Sequence, residues 1–173
     1  NAPETYMEKI SAKVNEKGVI DLDYTVKENI FNLSEYLNKK PESITACVMD
    51  RPRHKDIINE LNKIGVKIKL ITDGDISGAL LVTDEKYNVD IFLGVGGGPE
   101  GVLASAALDT FKCCFQGRFL FDTDEDKIRA SKMGITNFTK KYELNEIIKG
   151  DSIFCATGIT SGDLVSGIKI EKN

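Results

Sequence analysis

The chain has 173 residues, enough for one good-sized hydrophobic core, and the length favours a single domain. Its formal charge of −4, from 23 Lys and Arg against 27 Asp and Glu, argues against a nucleic-acid-binding surface or a polybasic membrane-binding one. No apolar run approaches a membrane span and no signal peptide is visible, so a cytoplasmic location is expected, with neither nucleic acid nor membrane as partner.

The chain opens on Asn1 rather than methionine, which suggests processing or a piece of something larger. Residues 1–24 carry Ala2-Pro3 and Gly18 and read as an extended arm with a turn, leading into an α/β domain over 25–173. From Thr25 to Asn38, Val26, Ile30, Leu33 and Leu37 recur at helical spacing, Thr25 and Glu28 are placed as a capping box, and Pro41 stops the helix. Ser43 to Asp50 reads as a strand, with Arg51-Pro52-Arg53-His54 leaving its C-terminal end. Lys55 to Ile64 is helical, with Ile57, Ile58, Leu61 and Ile64 on one face and Gly65 as the stop signal.

Val66 to Thr72 is the next strand; it ends in Asp73-Gly74-Asp75, and Ile76 to Val82 begins another helix. Val89 to Val95 is apolar enough for a strand buried on both faces, and Pro99 to Thr110 is an alanine-rich helix suited to close packing. Phe115 to Phe121 is a further strand, Thr123 to Met133 and Tyr142 to Ile148 read as helical, and Ser152 to Ala156 as the last strand. Strands alternating with helices predict a three-layer α/β sandwich around a mostly parallel sheet. Cys47, Cys113, Cys114 and Cys155 lack metal-ligand spacing and read as small core residues in a reducing compartment.

In such sheets ligands gather outside the carboxyl ends of the strands. Those ends carry Arg51 and Arg53, then Asp73 and Asp75, then Gly96 to Glu100, then Thr157-Gly158-Ile159-Thr160. The two arginines can grip a phosphate with planar, permanently charged forks, or form a solvated surface pair. His54 helps that grip or caps the following helix. Asp73 and Asp75 flank a glycine, so both carboxylates can reach one cleft to accept hydroxyl hydrogen bonds or bind a metal; otherwise they belong to an ordinary Asp-Gly turn capped by Ser77. Thr157 and Thr160 donate to a phosphate or belong to a structural turn.

Gly96, Gly97 and Gly98 sit between strand and helix, where a sharp turn without Cβ atoms would aim several N–H groups at one anion, reinforced by the positive helix end. That describes a phosphate seat. Gly96, Gly98 and Gly101 also fit the dinucleotide fingerprint, with Asp122 as its ribose-binding acid, but Glu100 would repel a pyrophosphate unless a divalent metal joined the two. Without a metal, Glu100 only complements the helix dipole. Asp73-Gly74-Asp75-Ile76-Ser77 after an apolar strand imitates the nucleophile loop of haloacid-dehalogenase-like phosphatases, in which the first Asp attacks phosphorus and the second is general acid and base.

Several of these loops together carry a stronger resemblance. NAPETYMEK at Asn1 to Lys9, DRPRH at Asp50 to His54, TDGDISGAL at Thr72 to Leu80, GVGGGPEGVLASAAL at Gly94 to Leu108, QGRF at Gln116 to Phe119 and CATGITSGDL at Cys155 to Leu164 resemble class II fructose-1,6-bisphosphatases, the GlpX type, in the family's order. The resemblance implies the C-terminal domain of the fructose-1,6-bisphosphatase/inositol monophosphatase-like fold, and metal-dependent hydrolysis of the 1-phosphate of fructose 1,6-bisphosphate, with relatives also acting on sedoheptulose 1,7-bisphosphate. It implies substrate contacts by Tyr6, Arg51, Pro52, Arg53, Asp73, Gly74, Asp75 and Gly97, a Mn²⁺ or Mg²⁺ ligand in Glu100, and association into homo-oligomers.

The family's N-terminal half, with most of its metal-binding acids, has no counterpart in this sequence. The resemblance therefore implies a substrate-gripping part that is inactive without that half. The other reading is a non-catalytic sugar-phosphate-binding module.

Overall fold

The structure, a computed structural model, describes residues 3–169. Its strands are β1 (Tyr6–Ala12), β2 (Thr45–Met49), β3 (Lys67–Ile71), β4 (Ile91–Gly97), β5 (Cys114–Leu120) and β6 (Lys141–Glu143). The helices are α1 (Val26–Tyr36), α2 (Lys55–Ile64), α3 (Asp75–Leu80), α4 (Gly98–Thr110), α5 (Asp124–Lys132) and α6 (Leu144–Ile147). The six strands form one sheet in the order β3-β2-β4-β1-β5-β6.

The sheet is mixed rather than mostly parallel. β2 is parallel to β3 and β4, but β1 runs antiparallel to both β4 and β5, and β6 antiparallel to β5. The difference arises in the segment expected as an extended arm, which supplies an inner strand hydrogen-bonded on both edges. Its Glu8 and Lys9 interrupt the apolar pattern that would mark an inner strand. Asn1 and Ala2 of the first motif, and the last four residues of the 25–173 segment, lie outside the described residues.

Each face of the sheet carries its own core. Met7, Cys47, Phe92, Phe115 and Phe119 pack with Leu80, Ala104 and Leu108 under α3 and α4. Ile10, Ala46, Val48, Ile91 and Leu93 pack with Ile30, Leu33 and Leu61 under α1 and α2. A fully buried Ile or Leu stabilises the fold by roughly 1.5–3 kcal/mol, so these two layers dominate local propensity. Local signals nonetheless set the ends: Thr25 and Glu28 form the expected capping box on α1, and Gly65 closes α2 in the left-handed conformation at φ 87°.

Two further expected elements differ. The helix read over Tyr142 to Ile148 is divided, because Tyr142 pairs with Gly117 at the sheet edge and Glu143 then caps the short α6 with Glu146. Ser152 to Ala156 is not a strand: it has no neighbouring edge to pair with, and Ile153 is 98% exposed. Within that irregular stretch Cys155 is exposed rather than a core residue, whereas Cys47 and Cys113 are buried and Cys114 partly so.

Candidate functional site

A cleft of about 650 Å³ opens at the carboxyl ends of β2, β3 and β4, lined by Arg51, Arg53, Asp73, Gly74, Asp75, Gly97 and Glu100. Met49 and Ile76 form part of its floor, and Phe154, Thr160, Leu164 and Val165 wall it from the C-terminal segment. Among the expected substrate contacts, Tyr6 stands beside the cleft, its ring centroid 5.0 Å from the Arg53 guanidinium. Pro52 opens a single 3₁₀ turn and is exposed, outside the lining. Thr160 lines the cleft, whereas Thr157 and Asp122 do not.

Parallel β2, β3 and β4 end on one side, so the loops after them converge without long connections. Arg53 is braced by a hydrogen bond from Nε to the Val95 carbonyl at 2.9 Å, which leaves its terminal nitrogens free to face a ligand. Gly74 adopts φ 89°, a conformation suited to glycine, and this turn separates Asp73 from Asp75. Asp73 is exposed and accepts the Gly74 N–H, while Ser77 donates to the Gly74 carbonyl rather than capping α3.

Gly96, Gly97 and Gly98 do not form the sharp turn expected of them. β4 continues through Gly97, which is extended at φ −63° and ψ 140°, and the helix follows directly. Their value lies in the missing Cβ: one on Gly96 would collide with the Asp75 carboxylate, and one on Gly97 with that of Glu100. The phosphate seat is reduced for a related reason. Gly98 already donates its N–H to the Thr5 carbonyl at 2.7 Å, and Pro99 has none to give.

Lys9, which the sequence reading did not place at the cleft, lies behind it. Its side chain is 1% exposed and its ammonium pairs with Asp75. Burial pulls the Lys9 ammonium below the usual lysine range, with Asp75 and then Glu100 opposing the shift. The available signal was phase: in YMEKISA, Lys9 shares the face of Met7 and Ser11, and an inward lysine needs a partner.

The sequence model of the family described as bacterial fructose-1,6-bisphosphatase, glpX-encoded, matches residues 1–173. The chain belongs to this family. The D-fructose 1,6-bisphosphatase class 2/sedoheptulose 1,7-bisphosphatase of Synechococcus sp. (strain JA-3-3Ab) is 36% identical over 182 residues, covering 98% of this chain and 52% of its own. The protein of the same name from Synechocystis sp. (strain ATCC 27184 / PCC 6803 / Kazusa) is 36% identical, covering 97% and 52%. That of Prochlorococcus marinus (strain NATL1A) is 37% identical, covering 100% and 56%. The chain thus spans about half the length of the curated relatives it matches.

Membership in the glpX-encoded fructose-1,6-bisphosphatase family implies metal-dependent catalysis in general. Mn²⁺ and Mg²⁺ favour about six oxygen ligands. Glu100 offers one exposed carboxylate, Asp75 is engaged by Lys9, and no group of three His, Cys, Asp or Glu among the described residues is placed to hold a metal ion. The described residues do not make a complete metal site. The haloacid-dehalogenase-like reading fits poorly as well, because β3, which leads into Asp73, is the edge of the sheet and Asp75 is tied to Lys9.

Proposed function

We propose that this chain is the substrate-gripping part of a phosphatase that hydrolyses the 1-phosphate of fructose 1,6-bisphosphate, giving fructose 6-phosphate and phosphate in gluconeogenesis. The observation that carries this reading is the convergence of Arg51, Arg53, Asp73, Asp75, Gly97 and Glu100 on one cleft. The arginines hold the non-reacting phosphate, with Tyr6 stacked on Arg53 and Pro52 shaping the loop between them. Asp73 and Asp75 accept hydrogen bonds from sugar hydroxyls, Gly74 provides the turn between them, and Gly97 lets the ligand approach the backbone.

Glu100 supplies one ligand to Mn²⁺ or Mg²⁺, and the remaining ligands come from the part of the family sequence that this chain does not span. The sheet then corresponds to the C-terminal domain of the sugar-phosphatase fold. The relatives' names extend the candidate substrates to sedoheptulose 1,7-bisphosphate. A cytoplasmic homo-oligomer is the expected setting; among the described residues no helix is long and apolar enough to cross a membrane.

The test pairs calorimetric binding of fructose 1,6-bisphosphate with phosphate release in Mn²⁺, on this chain and on Glu100→Ala. Binding without release is expected. Metal-dependent release that vanishes in Glu100→Ala would show that the chain carries its own catalytic carboxylates, and failure to bind the sugar bisphosphate would overturn the reading of the cleft. The solitary Glu100 carboxylate also favours a second reading, a sugar-phosphate-binding module without turnover. That module keeps its affinity in Glu100→Ala and gains no turnover when the other half of a family member is added, whereas a severed phosphatase does.

A further inference from the structure

Alternate residues of β1 point toward α3 and α4, and each finds a different answer to burial. Met7 joins the apolar core, Ser11 donates to the Ala79 carbonyl at 3.2 Å, and Lys9 carries a charge into the same layer. Room for the Lys9 stem on the α4 side comes from glycine, since a Cβ on Gly101 would sit 3.0 Å from Lys9 Cε.

Among the described residues the ammonium engages Asp75 Oδ2 alone. The Asp75 side chain is 10% exposed and lines the cleft, yet its other oxygen, Oδ1, is buried without a hydrogen-bond partner among the described residues. A buried carboxylate oxygen without a donor is costly, so this one retains acceptor capacity that the protein does not use. A hydroxyl from a ligand seated in the cleft would satisfy it once the carboxylate turns to bring Oδ1 to the opening.

We propose that Lys9 is a positioning residue: by holding Asp75 through Oδ2 it presents Oδ1 to a hydroxyl of a polyol phosphate, and so confers selectivity for sugar phosphates over phosphate itself. This rests on the reading of the cleft given above. Lys9 touches Asp75 rather than the ligand, and phosphate recognition by Arg51 and Arg53 does not depend on it.

The experiment measures binding of fructose 6-phosphate and of inorganic phosphate to the parent chain and to Lys9→Met, which keeps the length of the stem. Loss of a hydrogen bond to a charged group predicts about tenfold or more weaker binding of fructose 6-phosphate, with inorganic phosphate changed by less than about twofold. Equal weakening of both ligands, or of neither, overturns the proposal while leaving the reading of the cleft intact.

Should Lys9→Met fail to fold, the ¹³C carboxyl resonance of Asp75 in the parent chain decides. Movement with fructose 6-phosphate but not with inorganic phosphate supports the proposal, and movement with both or neither overturns it. If the parent chain binds neither ligand, the reading of the cleft fails. The selectivity assigned to Lys9 rests on that reading and is overturned with it.

Discussion

The His54 imidazole accepts the Val95 backbone N–H at Nε2 over 2.8 Å, while its Nδ1 donates to the Met49 carbonyl at 2.7 Å. The two contacts specify the neutral ring with its proton on Nδ1, and they tie the end of β2 to β4 just below the cleft. His54 is fully buried, so it neither grips a phosphate nor caps α2 through its side chain.

His54→Ala leaves the Val95 N–H without a partner, whereas the Met49 carbonyl keeps the Arg51 N–H. At roughly 1–3 kcal/mol for an unsatisfied group, the unfolding free energy should fall by about 1–3 kcal/mol in urea denaturation. A loss under about 0.5 kcal/mol would mean that the bridge contributes nothing beyond a surface substitution.

Gly97→Ala places a Cβ where the Glu100 carboxylate lies. Glu100 is exposed and can swing away, so stability should change by less than about 1 kcal/mol. The carboxylate leaves its place over Gly97, and metal-dependent turnover reconstituted with the other half of a family member should drop at least tenfold, which a phosphate-release assay reads.

Burial pushes the Cys47 thiol from 9.0 up to about 12, and Cys113 to about 11. Between pH 9 and those values the unfolded chain ionises while the folded chain keeps its protons, so stability is full below pH 9 and declines as pH rises through the window. Cys47→Ala should flatten that decline in denaturation midpoints measured from pH 8 to 11.

Thiol labelling separates the cysteines under native conditions. Cys155 is exposed while Cys47 and Cys113 are buried, so Cys155 should react with an aromatic disulfide reagent in seconds and those two only as the chain opens. Mass analysis of the labelled peptides reads the order, and early labelling of Cys47 would contradict the fold around β2.

Lys69 and Asp163 pair at 3.0 Å across the cleft wall, but both are substantially exposed. Such a pair contributes about 0–1 kcal/mol, so Asp163→Asn should leave the melting temperature nearly unchanged while speeding amide exchange around Gly162.

Locally encoded features were legible because their physics is short-range. The Thr25–Glu28 capping box, the Gly65 helix end, and the placement of Arg51, Asp73 and Glu100 at successive element ends all follow from neighbouring residues. The glycines of β4 make room for Asp75 and Glu100 rather than turning the chain, a role set by distant side chains that their local sequence does not contain.

By itself, the sequence determined the family, the alternation of helix and strand, and which loops share the cleft, since these depend on motif order and local periodicity. Only the tertiary structure decided that residues 6–12 enter the sheet between β4 and β5, that Lys9 pairs with Asp75 across 66 residues, and that His54 reaches Val95 across 41. It also left Ser152 to Ala156 without a sheet edge. Strand pairing and buried polar contacts are settled by which distant groups meet once both cores have formed, and no local window of sequence contains both partners.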